Sequence, residues 1–544
     1  MKKASYILKS NYIFTSETLS YFKGAVVISG ETILDVIKGD TGYEQYIDDQ
    51  TKVIEYGDKL IMPGFIDAHT HFDQASNTSS PYAIHLHDCK SEEECVQMAV
   101  DFRKEHPDID HIYGFGWLNT EWGDGGAPLP TRHSIDAAIP DIPVYFHSMD
   151  GHNFWINSKA IEKCGFTKDS TAPFGGFIKD NDGELTGVII DLYATTLPVT
   201  YGNTFSRDIL KEVTADFMKG LSAYGITGLA SVAAVTYPGG DFEEYAAYDE
   251  LNRETEGGLP VRMFLFPCLG TTGDFTIVNR LRATYTAEKV HIAGLKQFVD
   301  GVVCGHTAYT QEPYADNGQI SKPFFPKETL LKVIKKANAE GYSVRLHTIS
   351  DGSAHMALDI FEEAQKGADM NKITNTLEHL DNLEPEDIPR FAQLGVIPSM
   401  QPAHITLTKT YFEQSMGERR SKLAYQHRNL LDSGATLALG TDAPCVSVNP
   451  YETLYYAITR SDFDGNPLTK NPDQAMTLAE ALRAYTYGAS CAVGASDRLG
   501  TLTPGKYADI VVVDGPLFRE SPDAIRKHQA ETTFSAGRIV YEKA

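Results

Sequence analysis

Short apolar runs alternate with helix-like stretches through the middle of this 544-residue chain. Such alternation is typical of βα units that build a parallel sheet. Eight runs have the length and apolar character of buried strands. Eight units predict a TIM barrel, whose active site lies at the carboxyl ends of the strands. The predicted strands are residues 60–66, 226–232, 261–267, 294–299, 343–346, 374–377, 395–400 and 436–439.

Both ends of the chain have a different sequence pattern, in which short β-rich runs are separated by turns. Residues 5–57 read as a small antiparallel sheet, and residues 509–541 repeat the pattern. Because chain termini often lie close together, we predict one composite β-sandwich domain from residues 1–59 and 493–544. The barrel domain then comprises residues 60–492.

The chain between the first and second predicted strands is far longer than one βα loop needs. This segment is rich in glycine, proline and aromatic residues. We therefore predict a folded insertion over residues 73–200. Since it follows a barrel strand, it is expected to cover the catalytic mouth.

Histidine and aspartate residues stand at four of the predicted strand ends. His69 and His71 end the first strand, and residues two apart on a strand face the same side. Both imidazoles can then reach one ion, and histidine is a common zinc ligand. His347, His379 and Asp442 end three other strands. Their convergence predicts a central metal site.

A second His-x-His pair, His85 and His87, lies at no predicted strand end. For this pair we expect a solvated or structural role. Lys296, in contrast, lies inside the apolar run of the fourth predicted strand. It either points outward with its ammonium in water, or it is buried with a lowered pKa and a nucleophilic amine. A buried amine can react with CO2 to give a carbamate that bridges two metals.

Composition excludes several classes of function. The chain has 48 Lys+Arg and 73 Asp+Glu residues, a formal net charge of −25. This charge argues against a broad grip on nucleic acid and against a polybasic membrane anchor. We find neither a transmembrane run nor a signal peptide. Seven scattered cysteines without a Cys-x-x-Cys pair fit a reducing cytoplasm.

The strand ends belong to a longer series of motifs that covers nearly the whole chain in order. These motifs are Pro63-Gly-Phe-Ile-Asp-Ala-His-Thr-His71, Asp150-Gly-His-Asn153, Asn157-Ser-Lys-Ala160, Gly175-Gly-Phe-Ile178, Leu295-Lys-Gln-Phe-Val-Asp-Gly301, His347-x3-Asp351-Gly, Gln401-Pro402, Gly440-Thr-Asp-Ala-Pro444, Ala457-Ile-Thr-Arg460 and Leu499-Gly-Thr-Leu-x-Pro-Gly-Lys-x-Ala-Asp509. With them the sequence resembles the amidohydrolase superfamily. Within it, the sequence is most similar to the long branch that includes N-substituted formamide deformylase and uncharacterised metal-dependent hydrolases.

This resemblance implies a distorted (β/α)8 barrel, a composite β-sandwich from both termini, and one or two divalent metals, usually zinc. It places the first metal on His69, His71 and Asp442. It also implies that Asp442 and His379 are catalytic.

The second metal implied by the resemblance is held by His347 and His379. Lys296, as a carbamate, would bridge the two ions. Related hydrolases bridge with Glu or Cys, or use one metal, so the sequence leaves the number of ions open.

The implied activity is hydrolysis of an amide or related C–N bond, other than a peptide bond in a protein, by a metal-activated hydroxide. Asp442 would take the water proton and pass it to the leaving amine. A deaminase or cyclic amidase would use the same metal cage. A non-catalytic barrel scaffold is the alternative from another class. We expect a small-molecule substrate and a homodimer, with no nucleic-acid or membrane partner.

Candidate substrate-binding residues lie in the insertion and in a late loop. Trp122, Asp150 and His152 are expected at the mouth, unless they serve internal packing and turns. Arg460 would bind a substrate carboxylate or form a structural ion pair. Asp351 is expected to orient the histidine at the fifth strand end.

Overall fold

The protein has an α/β fold with additional β-sheets, seen here in a computed structural model. The structure describes residues 2–123, 126–172, 175–202, 205–233 and 243–544, without the side chains of residues 192–195. No helix within these ranges is both long and apolar enough to cross a membrane.

Eight parallel strands form the centre of the molecule, and we number them β1 to β8. Their bounds are β1 Phe65–Thr70, β2 Ile226–Val232, β3 Arg262–Phe266, β4 Gly294–Phe298, β5 Ser343–Thr348, β6 Thr376–His379, β7 Ile397–Met400 and β8 Ala438–Leu439. β1 to β3 pair in one sheet, which also contains Val290–Ile292 and Thr286–Ala287, and β4 to β8 pair in a second.

Backbone contacts join these two sheets at both places where their edges meet, between β3 and β4 and between β8 and β1. A parallel bridge links Cys268, just after β3, with Lys296 in β4. Near the other seam, the amide of Asp442 donates to the His69 carbonyl at 2.7 Å, and the amide of His71 donates to the Ala443 carbonyl at 2.9 Å. The last strand therefore returns to the side of the first.

The first predicted strand is divided between two sheets. Leu60–Pro63 pairs antiparallel with Ile510–Val513, and β1 begins only at Phe65. Gly64 lies between them, where a Cβ atom would come within 2.3 Å of the Thr227 hydroxyl. The close approach of β2 therefore requires glycine at the point where the chain leaves one sheet for the other.

Both ends of the chain build one eight-stranded sheet. The antiparallel pair Leu60–Pro63 and Ile510–Val513 joins the amino-terminal strands to the carboxyl-terminal ones. In order across the sheet the strands are Arg538–Glu542, Ala530–Ser535, Ile510–Val513, Leu60–Pro63, Tyr6–Phe14, Tyr21–Ser29 and Thr32–Lys38, with Lys52–Glu55 beside Tyr6–Phe14.

The segment between β1 and β2 contains a sheet of its own. Apolar residues pack on it in two clusters, one around Phe115 and Phe154 and the other around Trp117 and Trp155. The segment thus buries its own core. In order, its strands are Gly176–Lys179, Leu185–Ile190, Asn153–Ile156, Val144–Ser148, Ile112–Trp117 and Ile84–His85.

Helices connect the strands and cover them. Arg207–Ala223, before β2, begins after Ser206, whose hydroxyl accepts from the Ile209 amide as an N-cap. The α-helices are Phe72–Thr78, Glu92–Glu105, Arg132–Ala138, Ser158–Cys164, Leu192–Gly202, Arg207–Ala223, Glu243–Glu254, Thr276–Thr284, Lys327–Ala339, Asp351–Ala364, Ile388–Leu394, Ile405–Thr408, Phe412–Ser421, His427–Asp432, Pro450–Thr459, Leu478–Arg483, Ala489–Ala492 and Pro522–Ile525.

Candidate metal centre

The end of β1 and the segment after β8 bring three metal-ligand residues together. The Nε2 atoms of His69 and His71 lie 3.4 and 3.1 Å from Oδ1 of Asp442. Ligand atoms about 2.1 Å from a tetrahedral ion lie about 3.4 Å from one another. The spacing of this group, which we call the first group, therefore fits one divalent cation.

The far nitrogens of both rings are held by hydrogen bonds. Nδ1 of His71 donates to the Val232 carbonyl at 2.9 Å, and Nδ1 of His69 donates to Oε2 of Glu378 at 2.6 Å. Each bond places the proton on Nδ1 and leaves the lone pair of Nε2 toward Asp442. Burial, with the nearby Lys296 charge, also lowers the pKa of His69 to about 4.

Glu378 is kept anionic by a buried arginine. Nη1 of Arg345 donates to Oε1 of Glu378 at 3.2 Å and to the Ala68 carbonyl at 2.5 Å. Burial would raise the pKa of Glu378, but the charges of Arg345 and His69 outweigh it and lower the pKa to about 2. An anionic Glu378 orients His69 most strongly.

Asp442 is fixed in a left-handed backbone conformation, with φ of 64°. The preceding Thr441 donates its hydroxyl to Oδ2 of Asp67 at 2.6 Å, which holds this segment against β1. Burial alone would raise the pKa of Asp442, but His69, His404 and His71 lower it well below its usual range. The carboxylate is therefore available as a ligand or proton acceptor.

A second group shares the same carboxylate. One ligand atom each of His379, His404 and Asp442 lies within 4.8 Å of the others. Nε2 of His404 is 3.4 Å from Oδ2 of Asp442. Nδ1 of His379 donates to Oε1 of Gln401 at 2.9 Å. Sequence reasoning identified His379 at a strand end but missed His404. His404 ends the 3-10 turn Pro402–His404 after β7. The position of His404 soon after a strand was the signal that could have identified it.

Lys296 points inward from β4 and is fully buried, so its ammonium does not reach water. Its Nζ atom has no hydrogen-bond partner among the described residues and lies 4.9 Å from the centre of the Phe298 ring. Burial lowers the pKa of Lys296 to about 8. Of the two interpretations of Lys296 from sequence, only the buried one fits this position.

His347 lies beside the two groups but belongs to neither within the described part of the chain. Its ring centre is 4.4 Å from that of His379, and its Nε2 atom donates to the Gly301 carbonyl at 3.2 Å. Burial and the Lys296 charge lower the pKa of His347 well below its usual value. His347 is thus neutral and close to the site.

The segment between β1 and β2 reaches the centre through His152. The His152 ring packs 5.4 Å from that of His347, and its Nδ1 atom lies 3.1 Å from Oδ1 of Asp191. Burial would lower the pKa of His152, but the hydrogen bond to Asp191 outweighs it and raises the pKa. Asp150 accepts from the His152 amide at 3.0 Å and so shapes the turn that presents the ring.

Two other predicted residues lie elsewhere. Trp122 does not line the mouth, because it is buried against Trp117 and Trp155 in the core of the segment between β1 and β2. Asp351 begins a helix, and its Oδ1 atom accepts from the hydroxyl of Ser350 at 2.9 Å. That carboxylate forms no described hydrogen bond with the histidine of β5, so the structure does not support its expected orienting role.

Arg460 is also placed differently from both sequence interpretations. Its guanidinium is buried and donates to the Tyr425 carbonyl at 3.0 Å and to Oδ1 of Asn471 at 2.7 Å. Burial lowers the pKa of Arg460 to about 10. Its donors are occupied by neutral acceptors of the fold, so it neither faces a substrate carboxylate nor forms an ion pair among the described residues.

His85 and His87 stand apart from the two groups. His85 is exposed, whereas the half-buried His87 ring packs 5.5 Å from the ring of Phe115. Neither residue joins a metal-compatible group in the part of the chain described.

Comparison with known proteins identifies the family. The model described as "Amidohydrolase family" matches residues 52–541. Protein LONG AFTER FAR-RED 3 of Arabidopsis thaliana is 28% identical over 94% of this chain and 87% of its own length. N-substituted formamide deformylase of Arthrobacter pascens is 24% identical over 95% of each chain.

A solved structure shows the same fold. An uncharacterized metal-dependent hydrolase from Pyrococcus horikoshii superposes with a TM-score of 0.73 at 23% identity, over 98% of this chain and all of the other. The family match covers almost the whole chain and includes both metal-compatible groups. The chain therefore belongs to the amidohydrolase family.

Proposed function

We propose that this protein is a metal-dependent hydrolase that cleaves an amide or related C–N bond, other than a peptide bond in a protein, in a small molecule. The observation that carries the proposal is the position of Asp442, whose carboxylate faces imidazoles on both sides. The similarity to N-substituted formamide deformylase supports the same bond type.

The donor set fits a divalent cation, and zinc is the ion we propose. Several buried atoms of the centre have no hydrogen-bond partner among the described residues, and such atoms are costly unless something binds them. When bound, the ion lowers the pKa of water and polarises a carbonyl group. The unpartnered atoms are Nε2 of His69, His379 and His404, Nζ of Lys296 and Oδ1 of Asp442.

Asp442 is the proposed proton carrier of the reaction. Its low pKa keeps it ionised, so it can accept the proton of the attacking water and return it to the leaving nitrogen. His379 lies beside it, with Nδ1 3.8 Å from Oδ2, and completes the proposed catalytic set. His152 contacts the site from the insertion and is the proposed substrate-binding residue there.

Lys296 is proposed to carry a carbamate. In this reaction the neutral amine attacks the carbon of CO2, an N–C bond forms as one C=O π bond of CO2 opens onto oxygen, and the amine loses one proton to water. Burial, the unpartnered Nζ atom and a pKa of about 8 support it, because a neutral amine is then accessible near neutral pH. The carbamate would link the first ion to a second ion near His347 and His379.

The proposed roles go together with a proposed domain organisation of the chain. We propose that residues 60–492 form a closed (β/α)8 barrel, with residues 1–59 and 493–544 as a composite β-sandwich beside it. The insertion over residues 73–200 is the proposed cover of the site, a role supported by the contact of His152 with His347. A homodimer remains a prediction.

A substrate screen tests the proposal. Zinc-reconstituted protein is incubated with N-formyl and N-acyl amides, hydantoins and aminated heterocycles, and the released amine, ring-opened acid or ammonia is measured. We expect amine release from an N-formyl or N-acyl amide. Ammonia release alone would indicate a deaminase, ring opening alone a cyclic amidase. Protein that retains no zinc after reconstitution and turns over none of these compounds would favour a scaffold.

A further inference from the structure

We infer that Asp191 is a positioning residue that orients the His152 ring toward the substrate. This inference rests on the proposed function, because it takes His152 as a substrate-binding residue. Asp191 belongs to neither metal-compatible group in the part of the chain described. Its effect on the reaction therefore passes through the His152 ring and not through a metal ion.

Two hydrogen bonds connect Asp191 with His152. Oδ1 of Asp191 accepts from Nδ1 of His152 at 3.1 Å, and the Asp191 amide donates to the His152 carbonyl at 2.9 Å. A carboxylate on one ring nitrogen fixes the tautomer and the orientation of an imidazole. Nε2 of His152 forms no hydrogen bond with the described residues, so it is the ring atom left for a polar group of the substrate.

The turn before the ring is fixed as well. Nε2 of His147 donates to the Gly151 carbonyl at 2.8 Å, and Oδ1 of Asp150 accepts from the His152 amide at 3.0 Å. These bonds hold the backbone of His152 but leave rotation about its side-chain bonds free. Asp191 supplies the contact that fixes the ring itself.

The backbone of Asp191 adopts a conformation that few residues tolerate. Its φ is 66°, in the left-handed region, directly after the strand Leu185–Ile190. Its side chain is buried at the same time. Strain of this kind persists only where the surroundings enforce it, and it is concentrated at functional sites. The strained position places the carboxylate beside the ring.

The chain after β4 confines the carboxylate from the other side. A Cβ atom on Gly301 would come within 2.4 Å of Oδ2 of Asp191 and 2.2 Å of the Thr307 hydroxyl oxygen. The Gly301 carbonyl also accepts from Nε2 of His347 at 3.2 Å. Asp191 therefore lies where the segment between β1 and β2 meets the candidate metal centre.

A double-mutant cycle on full-length, zinc-loaded protein tests the inference. Its members are wild type, Asp191→Gly, His152→Ala and the double variant, and the substrate is the N-formyl or N-acyl amide that wild type turns over in the substrate screen. Glycine adopts a positive φ without strain, so Asp191→Gly removes the carboxylate and spares the backbone. Asp191→Ser takes its place in the cycle if the glycine variant does not fold.

Two further variants separate positioning from general damage. Asp191→Asn keeps an oxygen that accepts from Nδ1 and suits the left-handed backbone. Asp182→Gly is the matched control, because Asp182 is an exposed residue just before the same strand. Bound zinc and thermal melts are measured for every variant, and kcat and KM are determined separately.

We expect KM to rise roughly tenfold in Asp191→Gly and in His152→Ala, with kcat and bound zinc little changed, because a hydrogen bond to the substrate is lost. The double variant should be no worse than His152→Ala alone, since Asp191 acts through that ring. Asp191→Asn should recover most of the wild-type KM, and Asp182→Gly should match wild type.

An unchanged KM in Asp191→Gly would overturn the inference. Effects of Asp191→Gly that are equally large with and without the His152 ring would also overturn it. In both cases wild type is active, so the proposed function would stand. Zinc-loaded wild type that turns over none of the amides would contradict the proposed function, and the inference would fall with it.

Discussion

At the scale of single residues, the centre depends on which charges are buried and which are paired. Asp442 is ionised because His69, His404 and His71 surround it, and Glu378 is ionised because Arg345 lies beside it. His69 connects these two carboxylates through its two ring nitrogens. A change in either carboxylate should therefore alter metal binding through the same ring.

The substitution Asp442→Asn removes the proposed proton acceptor while it preserves the shape of the side chain. We expect the fold to remain and turnover of any good substrate to fall at least ~100-fold, about 3 kcal/mol in the barrier. Steady-state kinetics at saturating zinc measures this loss. The exposed Asp473→Asn serves as control; near-wild-type activity of Asp442→Asn would refute the role.

The substitution Glu378→Gln tests two roles of this carboxylate, the positioning of the His69 ring and the pairing of the Arg345 charge. It leaves the Arg345 guanidinium buried without its carboxylate, which costs about 3–5 kcal/mol. It also weakens the bond that orients His69, so zinc affinity should fall about 10- to 100-fold. Thermal melts and zinc titrations measure the two effects.

The double variant Glu378→Gln with Arg345→Met is the control for this pair. It should recover much of the lost stability, because no unpaired charge remains, while zinc affinity stays low. Unchanged zinc affinity in both variants would show that Glu378 does not position His69.

At the scale of elements, the carboxyl ends of neighbouring strands place the ligands. The backbone after β8 approaches β1 so closely that a Cβ atom on Gly440 would come within 2.6 Å of the His69 amide nitrogen and 2.8 Å of Oδ1 of Asp67. Two ligand-bearing segments thus meet where only a glycine fits. The spacing between His69 and Asp442 depends on that approach.

Replacing Gly440 with alanine should force these two segments apart. We expect a loss of about 1–3 kcal/mol in stability and weaker zinc binding, measured by chemical denaturation and zinc titration. Gly220→Ala in the helix Arg207–Ala223 meets nothing within 4 Å and is the control, expected to be neutral or stabilising. Equal effects of the two substitutions would contradict this account.

The eight strands were predictable because each is a short apolar run. The break at Gly64 was not, since it depends on the packing of Thr227 from β2. The strand-end ligands were equally predictable from alternation along a strand. His404 escaped prediction because a 3-10 turn after β7, and not a strand, directs its ring.

Roles that depend on loop packing were the least predictable. Trp122 is an aromatic residue in a glycine-rich segment, and this pattern is compatible either with the mouth of the active site or with a buried core. Its packing against the neighbouring tryptophans places it in the core. Arg460 occupies a left-handed position at a helix end, with φ of 54°, and its guanidinium turns into the fold. The spacing of residues along the sequence does not reveal the direction in which such a side chain points.

At the scale of the whole molecule, buried charges join the eight central parallel strands to the sheet of the chain ends. Arg262 in β3 pairs with Asp509 at 2.6 Å. Lys289 donates to the Leu259 carbonyl at 2.6 Å and to the hydroxyl of Ser535 at 3.1 Å. These contacts tie the carboxyl-terminal strands to the centre of the molecule.

Lys289 makes this junction sensitive to pH. Burial, with the Arg262 charge, lowers the pKa of Lys289 from 10.5 to about 8. The unfolded chain therefore binds more protons between pH 8 and pH 10.5, so stability rises with pH in this window. Below pH 8 the buried ammonium costs the folded state about 3 kcal/mol in full.

The substitution Lys289→Met removes this titration. Denaturation midpoints of wild type should therefore rise relative to Lys289→Met as the pH increases from 8 to 10. A difference that stays constant over this range would show that Lys289 has no lowered pKa in the folded protein.

Metal analysis of protein purified without added zinc tests the central claim, a divalent metal centre at the strand ends, most directly. Metal is counted per chain in wild type, His71→Gln and Asp442→Asn, with the mass of the Lys296 peptide measured alongside. We predict at least one tightly bound equivalent in wild type and a large loss in both variants. Metal well below one equivalent in wild type, with an unmodified Lys296, would contradict the account and favour a non-catalytic scaffold.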